Sequence, residues 1–236
     1  EKEKQKRENR ENLYGLQQCA AKFFYKQLFS DSGKNALSYL FSRGLDRRTI
    51  RTFGLGYALD SWDSIIDFLI KQGYEQDLII QSGLAIENKG RVYDRFRNRI
   101  IFPIIDYRDR VIGFGGRAFG DELPKYLNSP ETPVFDKSNT LFGINIIKKL
   151  RPLDSIIVVE GYMDVITLYQ YGIRNVVASL GTSLTEGQAK LLRRYSKDIY
   201  IAYDGDSAGQ QATLRGLDVL KDAGCKVRVI CFPQGM

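Results

Sequence analysis

The chain has 236 residues, 43% hydrophobic and 27% charged, which is enough to bury one large core or two smaller ones. It contains no histidine, which excludes a Ser-His-Asp triad, a histidine general base and a histidine-ligated metal. Its formal net charge of +7 favours a polyanionic partner.

The cysteines and the apolar segments set further limits. The three cysteines form no CxxC pair and no even disulfide framework, so we expect neither a zinc knuckle nor a secreted scaffold. No apolar segment is long enough to span a membrane, and we expect a cytoplasmic protein. The chain opens on a charge run without a methionine or a signal-peptide core, so we expect a solvated end of a piece from a longer protein.

Helical periodicity dominates about the first 85 residues. Apolar residues three or four positions apart predict an amphipathic helix over 12–30 and shorter helices over 35–42 and 62–72. Gly44 and Gly73 stand where C-terminal caps belong.

A strand-rich region follows. Residues 93–105 and 111–116 are rich in β-branched and aromatic side chains and are separated by a turn-forming segment, which predicts a hairpin. Pro103 cannot donate to a ladder, so it predicts an edge strand or a bulge. After loop-like residues 120–133, a short helix ends near Pro152, where we place a domain boundary.

From residue 154 the chain alternates regularly between strand and helix. The pattern predicts strands over 155–159, 175–179, 199–203 and 226–232, with helices over 162–171, 185–195 and 208–223. Short Val/Ile-rich strands with crossover helices predict a parallel sheet covered on both faces. We therefore expect an α/β fold: a mixed α+β, basic amino-terminal subdomain over 1–152 and a parallel-sheet α/β subdomain over 153–236.

Carboxylates follow the ends of two predicted parallel strands. Glu160 ends the first strand, and Asp204 and Asp206 follow the third. Ligands of open parallel sheets bind beyond these strand ends, and clustered carboxylates select Mg²⁺ or Mn²⁺. Asp164, in the next helix's first turn, could support the same site. The alternative is that Asp164 and Asp206 are helix caps, which leaves Glu160 and Asp204 unexplained.

Two other enzyme classes share parts of this pattern. The string IYIAYDGDSAG is similar to the nucleophile strand of haloacid-dehalogenase-like phosphatases, but that fold needs more chain than follows Asp206. The second class is a nucleotidase with a Walker A motif. Gly115 and Gly120 have the spacing of the two glycines of that motif, but the chain continues into Asp121 and not into its lysine.

Arginines alternate along the predicted strand at 93–105. A period of two places Arg95, Arg97 and Arg99 on one face of a strand, which predicts a groove for a polyanion. Further cations follow within fifty residues, among them Arg117, Lys125 and Lys137. The alternative is a solvated strand face neutralised by nearby aspartates.

Six strings together resemble bacterial DNA primases of the DnaG type: DRFRNRIIFPI (94–104), VIGFGGR (111–117), PKYLNSPET (124–132), VVEGYMDV (158–165), ASLGTS (178–183) and YDGDSAG (203–209). The last three alone are typical of the Toprim fold, which topoisomerases and some nucleases also have. The resemblance implies the RNA polymerase core of the family, with a basic subdomain followed by Toprim.

The resemblance also implies the activity, the cofactor and the roles of individual residues. The activity is nucleotidyl transfer from ribonucleoside triphosphates, which makes short RNA primers on single-stranded DNA for replication. Mg²⁺ or Mn²⁺ would be held by Glu160, Asp204 and Asp206, with Asp164 as a further acidic member of the catalytic site. Nucleotide and template would be held by Arg95, Arg97, Arg117, Lys125, Asn128 and Lys137, with Arg43 as a weaker candidate.

The chain also departs from the family pattern. A third acidic motif, DPD, would begin about where the sequence stops, so we expect an incomplete Toprim subdomain and little activity from this chain alone. The family's zinc-binding domain and the carboxyl-terminal region that docks the replicative helicase are not present, and we expect a monomer. Two alternatives stay open: a Toprim topoisomerase or nuclease, and a non-catalytic module that binds single-stranded DNA.

Overall fold

The computed structural model describes residues 1–119, 123–150, 152–181, 183–205 and 207–231, without the side chains of Ser207 and Ala208. The chain divides into two compact units. The first comprises Glu1–Ile104 and Arg110–Asp136, and the second comprises Ile105–Asp109 and Lys137–Met236.

Helices dominate the start of the first unit, as predicted: α1 (Lys2–Leu28), α2 (Lys34–Ser42), α3 (Arg47–Thr52), α4 (Ser64–Lys71) and α5 (Gln76–Gln81). Helix α1 begins earlier than predicted, because the lysine, glutamate and arginine of the charge run are good helix formers even where they are exposed. Gly44 and Gly73 have φ of +82° and +89°, so both are the C-terminal cap glycines that the pattern predicts.

Helix α1 packs one apolar face, which includes Leu13, Leu16, Ala20 and Phe24, into the core. Strand β1 (Gly56–Ala58) is the element that α1 contacts most extensively. A Cβ on Gly56 would lie 2.6 Å from Phe24 Cβ, so only glycine allows the helix to come this close to the strand.

The main sheet of the first unit has the order β1-β4-β5-β6, with strands β4 (Arg99–Ile105), β5 (Val111–Ala118) and β6 (Tyr126–Asn128). A separate antiparallel pair consists of β2 (Ala85–Asn88) and β3 (Arg91–Asp94). β4 and β5 are neighbours, as predicted for a hairpin. β4 is an interior strand and not the predicted edge strand. Pro103 is tolerated in it because the short β1 pairs only with residues 99–101, so position 103 needs no backbone donor on that side.

The prediction of one strand over 93–105 is wrong. β3 ends at Asp94 and β4 begins at Arg99, and these strands belong to different sheets. Between them Asn98 adopts a φ of +48° and Phe96 turns inward until it is 1% exposed. Arg95, Arg97 and Arg99 therefore do not share a strand face.

The second unit has a four-stranded parallel sheet in the order β10-β9-β7-β8. Its elements are α6 (Ile144–Ile147), β7 (Ser155–Val159), α7 (Tyr162–Gln170), β8 (Val176–Ala178), α8 (Glu186–Arg193), β9 (Asp198–Ile201), α9 (Ser207–Asp222) and β10 (Lys226–Val229). Buried Ile and Val side chains of β7, β8 and β9 form its core. The predicted order of strands and helices and the parallel sheet are confirmed.

The units divide between Asp136 and Lys137, earlier than the boundary predicted near residue 152. The intervening residues pack with the parallel sheet: Phe142 forms a β-bridge with Ala178, and Gln188 Nε2 donates to the carbonyls of Lys137 and Thr140. Among the helices described, none is both long and apolar enough to cross a membrane.

Candidate functional site

Two of the predicted acidic residues meet at the carboxyl edge of the parallel sheet. Glu160 follows β7 directly, and Asp204 follows the neighbouring strand β9. The backbone N–H of Asp204 donates to Glu160 Oε1 over 3.0 Å. The two strand ends are therefore joined by a bond to one of the carboxylates.

Gly209, in the first turn of α9, makes room for this pair. A Cβ at this position would lie 2.2 Å from the Asp204 carbonyl oxygen and 2.8 Å from Glu160 Oε1. Real Cβ atoms do not approach other heavy atoms so closely, so the geometry requires glycine here.

The other two acidic candidates differ in what the structure says of them. Asp164 Oδ2 accepts a 2.9 Å hydrogen bond from the Gly161 N–H, and so closes the first turn of α7. Asp206 lies outside the described residues. Within the described part of the chain, no group of three acidic or cysteine side chains is arranged to hold a metal ion.

The donor chemistry at the sheet edge nevertheless fits a hard divalent cation. Glu160 and Asp204 offer carboxylate oxygens, and the histidine-free chain brings no imidazole to compete with them.

Tyr203 adjoins this pair from the core side. Its side chain is 5% exposed. Burial raises the pKa of Tyr203 to about 12, with Ser179 acting in the opposite direction and the negative charge of Glu160 raising it further. Tyr203 therefore stays a neutral phenol.

The arginines of the first unit have separate environments. Arg95 Nε and Nη2 both donate to the Asn128 carbonyl, over 3.1 and 2.8 Å, and burial lowers the pKa of its guanidinium. Arg99 is 5% exposed and donates to the Pro124 carbonyl over 2.8 Å. Both side chains tie strands and loops of the first unit together.

Arg97 instead lies against an exposed aromatic surface. Its Cζ is 4.1 Å from the centre of the Trp62 ring and 5.3 Å from that of Tyr93. Trp62, the only tryptophan of the chain, is 63% exposed. A groove of about 800 Å³ adjoins them, lined by Trp62, Asn88, Lys89, Arg91, Val92 and Tyr93.

Sequence reasoning missed Trp62, because the residue stands at the start of a segment whose pattern predicts a helix. In the structure Trp62 precedes α4, which begins at Ser64. A lone tryptophan within a polar SWDS segment could have pointed to an exposed aromatic.

Arg117 has a similar aromatic environment on β5. Its Cζ is 4.6 Å from the centre of the Tyr39 ring and 5.9 Å from that of Tyr126. Lys125 and Arg43 are exposed, and Asn128 is partly buried. Lys137 belongs to the second unit, whereas the other basic candidates belong to the first.

Comparison with known families gives two matches. Residues 23–148 match the family described as DNA primase catalytic core, N-terminal domain, and residues 157–236 match the Toprim-like family. The DNA primase of Clostridium acetobutylicum is 51% identical over 229 residues, which is 97% of this chain. The chain spans 38% of the length of that relative.

Solved structures agree with these matches. A DNA primase domain from Pseudomonas aeruginosa superposes with a TM-score of 0.88 at 46% identity, covering 95% of this chain and 72% of that one. A DnaG primase catalytic domain bound to ssDNA superposes with a TM-score of 0.89 at 39% identity, covering 97% of this chain and 73% of that one.

Proposed function

The chain belongs to the DNA primase family, and we propose that it forms most of the catalytic core of a DNA-directed RNA polymerase that makes short primers on single-stranded DNA. The observation that carries the proposal is the Glu160–Asp204 pair at the edge of a Toprim-like sheet. Similarity to the primases of Clostridium acetobutylicum and Pseudomonas aeruginosa does not favour a topoisomerase, a nuclease or a non-catalytic binding module.

Glu160 and Asp204, together with Asp206, would hold Mg²⁺ or Mn²⁺. Such an ion supplies charge neutralisation for the triphosphate and acidification of the attacking 3′-hydroxyl in nucleotidyl transfer. Glu160 also accepts the Asp204 N–H and so keeps the two strand ends together. No side-chain nucleophile is needed, and we assign Asp164 to shaping α7 beside this site.

Trp62 and Arg97 would bind the single-stranded template. An exposed tryptophan offers a flat face on which a base can stack, and the guanidinium beside it can meet a phosphate. Arg91 and Lys89 add positive charge along the same groove. A related DnaG catalytic domain has been solved with ssDNA bound, which supports a template site in this family.

The other basic candidates would contact the nucleotide or the template, or support the residues that do. Arg117, beside Tyr39 and Tyr126, repeats the pairing of a guanidinium with exposed or half-buried rings. We retain Lys125, Lys137 and Arg43 as phosphate contacts, and Arg95 and Asn128 as a linked pair that supports the template surface. Ribonucleoside triphosphates would be the substrates of a cytoplasmic, monomeric enzyme, whose parent protein would meet the replicative helicase outside this chain.

Glu160→Gln tests the catalytic proposal sharply. The variant keeps an oxygen that accepts the Asp204 N–H but removes the charge a cation needs. In the complete parent protein we expect primer synthesis on a single-stranded template to fall at least about 100-fold. Glu186→Gln is the matched control, because Glu186 is exposed and pairs across one helix turn with Lys190. Full primer synthesis by Glu160→Gln would refute the assignment.

A further inference from the structure

A buried carboxylate lies behind the exposed Trp62–Arg97 pair. We propose that Asp94 is a positioning residue that holds Trp62 and Arg97 in the arrangement that binds single-stranded nucleic acid. This inference rests on the proposed function of that pair as a template site. Asp94 is 0% exposed and cannot itself touch a ligand at the surface.

The Asp94 side chain caps α4. Its Oδ2 accepts hydrogen bonds from the Ile65 N–H over 2.9 Å and from Ser64 Oγ over 3.1 Å, and its Oδ1 accepts from the Ile66 N–H over 3.2 Å. The first N–H groups of a helix have no partner within the helix, so this carboxylate satisfies donors that would otherwise be buried alone. It thereby fixes the start of α4, two residues after Trp62, to the end of β3.

The backbone of Asp94 reaches both members of the pair. Its N–H donates to the Trp62 carbonyl over 2.7 Å, and its carbonyl accepts a hydrogen bond from Arg97 Nη1. Asp94 is thus bonded directly to Trp62 and to Arg97, and through its side chain to the helix that follows Trp62.

The rings of Trp62 and Tyr93 lie beside these bonds, and the Asp94 side chain acts on them through the start of α4. The Trp62 and Tyr93 rings meet edge to face with centroids 5.5 Å apart, and Arg97 covers both. Trp62 is 63% exposed, so few core contacts restrain it. Its orientation therefore relies on the backbone at residue 62, on Tyr93 and on Arg97. Asp94 follows Tyr93 in the chain and is hydrogen-bonded to the other two.

Buried carboxylates are costly, which argues that this one is kept for its hydrogen bonds rather than for packing. Burial raises the pKa of Asp94 to about 6, the N–H groups of Ile65 and Ile66 and the Ser64 hydroxyl lower it, and Asp63 raises it. Asp94 is therefore mostly ionised at neutral pH and accepts all of these bonds.

Asp94→Ala in the full 236-residue chain tests the proposal. We expect the affinity for a fluorescein-labelled oligo(dT) to fall about tenfold, and acrylamide quenching of Trp62 to increase. Trp62 is the only tryptophan, so the quenching reports on this site alone. Asp94→Asn retains one carbonyl oxygen for the Ile65 N–H, and we expect it to restore part of both signals.

Asp46→Ala is the matched control for lost stability. Asp46 also caps a helix of the first unit, since its Oδ1 accepts the Thr49 N–H over 2.6 Å. We expect this variant to lower the melting temperature while it leaves oligo(dT) affinity and Trp62 quenching unchanged. If Asp94→Ala does not fold, Asp94→Asn takes its place in the comparison.

The outcomes separate this inference from the proposed function. If Trp62→Ala and Arg97→Ala weaken oligo(dT) binding but the Asp94 variants leave affinity or quenching unchanged, the role of Asp94 is wrong and the template site stands. If Trp62→Ala and Arg97→Ala bind as tightly as the native chain, both the template site and the inference built on it are wrong. If Asp46→Ala loses as much oligo(dT) affinity as Asp94→Ala, the effect of Asp94 is one of stability alone and the inference is wrong.

Discussion

The backbone N–H of Asp204 donates a 3.0 Å hydrogen bond to Oε1 of Glu160, which joins two residues 44 positions apart. This bond holds the carboxyl ends of β7 and β9 in register beyond the sheet. It also engages one oxygen of the Glu160 carboxylate, so this acidic side chain helps to fix the backbone at the sheet edge. The arrangement thus links two strand ends through an acidic side chain. It has room to form because Gly209 carries no Cβ.

Gly209→Ala should disrupt this arrangement. A Cβ at 2.2 Å from the Asp204 carbonyl oxygen must displace either α9 or the residues after β9. We expect the chain to bind Mn²⁺ at least about tenfold more weakly, as measured by electron paramagnetic resonance, and the parent protein to lose primer synthesis in proportion. Gly216→Ala in the same helix is the control, because its Cβ would meet only the flexible Cδ1 of Ile201 at 3.3 Å. Unchanged Mn²⁺ affinity in Gly209→Ala would contradict the role of this close approach.

Trp62→Ala should weaken binding to single-stranded DNA. Stacking of a base on an aromatic side chain contributes about 1–3 kcal/mol, so we expect the dissociation constant to rise by roughly 5- to 140-fold. Fluorescence anisotropy with a labelled oligonucleotide measures this directly. Tyr171→Ala is a suitable control, since Tyr171 is 76% exposed but does not line the groove at Trp62. Equal losses in the two variants would argue against a specific site at Trp62.

Arg95 and Arg97 should respond differently to substitution, although they are two residues apart. Arg95→Lys keeps the positive charge but loses the forked donation to the Asn128 carbonyl, so we expect about 1–3 kcal/mol less stability. Arg97→Gln removes a charge from the exposed surface, so the slope of log K against log salt for single-stranded DNA should fall by about 0.7. Chemical denaturation and salt titrations measure the two effects. A reduced salt slope in Arg95→Lys would contradict its structural role.

The parallel-sheet region was predictable from sequence because its signals are local. Strands buried on both faces read as short Val/Ile runs, and turn residues separate them from helices of ordinary length. β7 has the predicted bounds, and α9 begins one residue before its predicted start. The same logic located Glu160 and Asp204 at neighbouring strand ends, since strand ends in a parallel sheet share an edge.

The sequence could not show that the three alternating arginines do not share a strand face, because this depends on the backbone conformation of a single residue. Alternation of Arg95, Arg97 and Arg99 predicts one face only if the strand continues through Asn98, which instead has φ of +48°. Asparagine tolerates the left-handed region better than most residues, but nothing in the local pattern requires it there. The Trp62–Arg97 contact joins residues 35 apart in sequence and depends on that break.

The ionisation of Asp94 should appear in the pH dependence of stability. Its pKa in the folded chain is about 6 against an ordinary value of 3.8, so the folded state binds the proton more tightly than the unfolded state. The contribution of this group to stability is therefore greatest below the unfolded pKa and is lost as pH rises through the folded pKa. Across that window the change is on the order of 3 kcal/mol.

Asp94→Asn isolates this effect from the other carboxylates. The pKa values of Asp46, Asp109 and Glu186 are lowered by their hydrogen bonds, so these groups change stability in the opposite direction as pH falls. Subtracting the unfolding free energy of Asp94→Asn from that of the native chain, at pH 7 and again near pH 4.5, cancels them. We expect the difference to shift in favour of the native chain at the lower pH, because the buried surroundings of Asp94, and after them the charge of Asp63, penalise its ionised form. A difference that does not change with pH would mean that Asp94 titrates alike in the folded and unfolded chain.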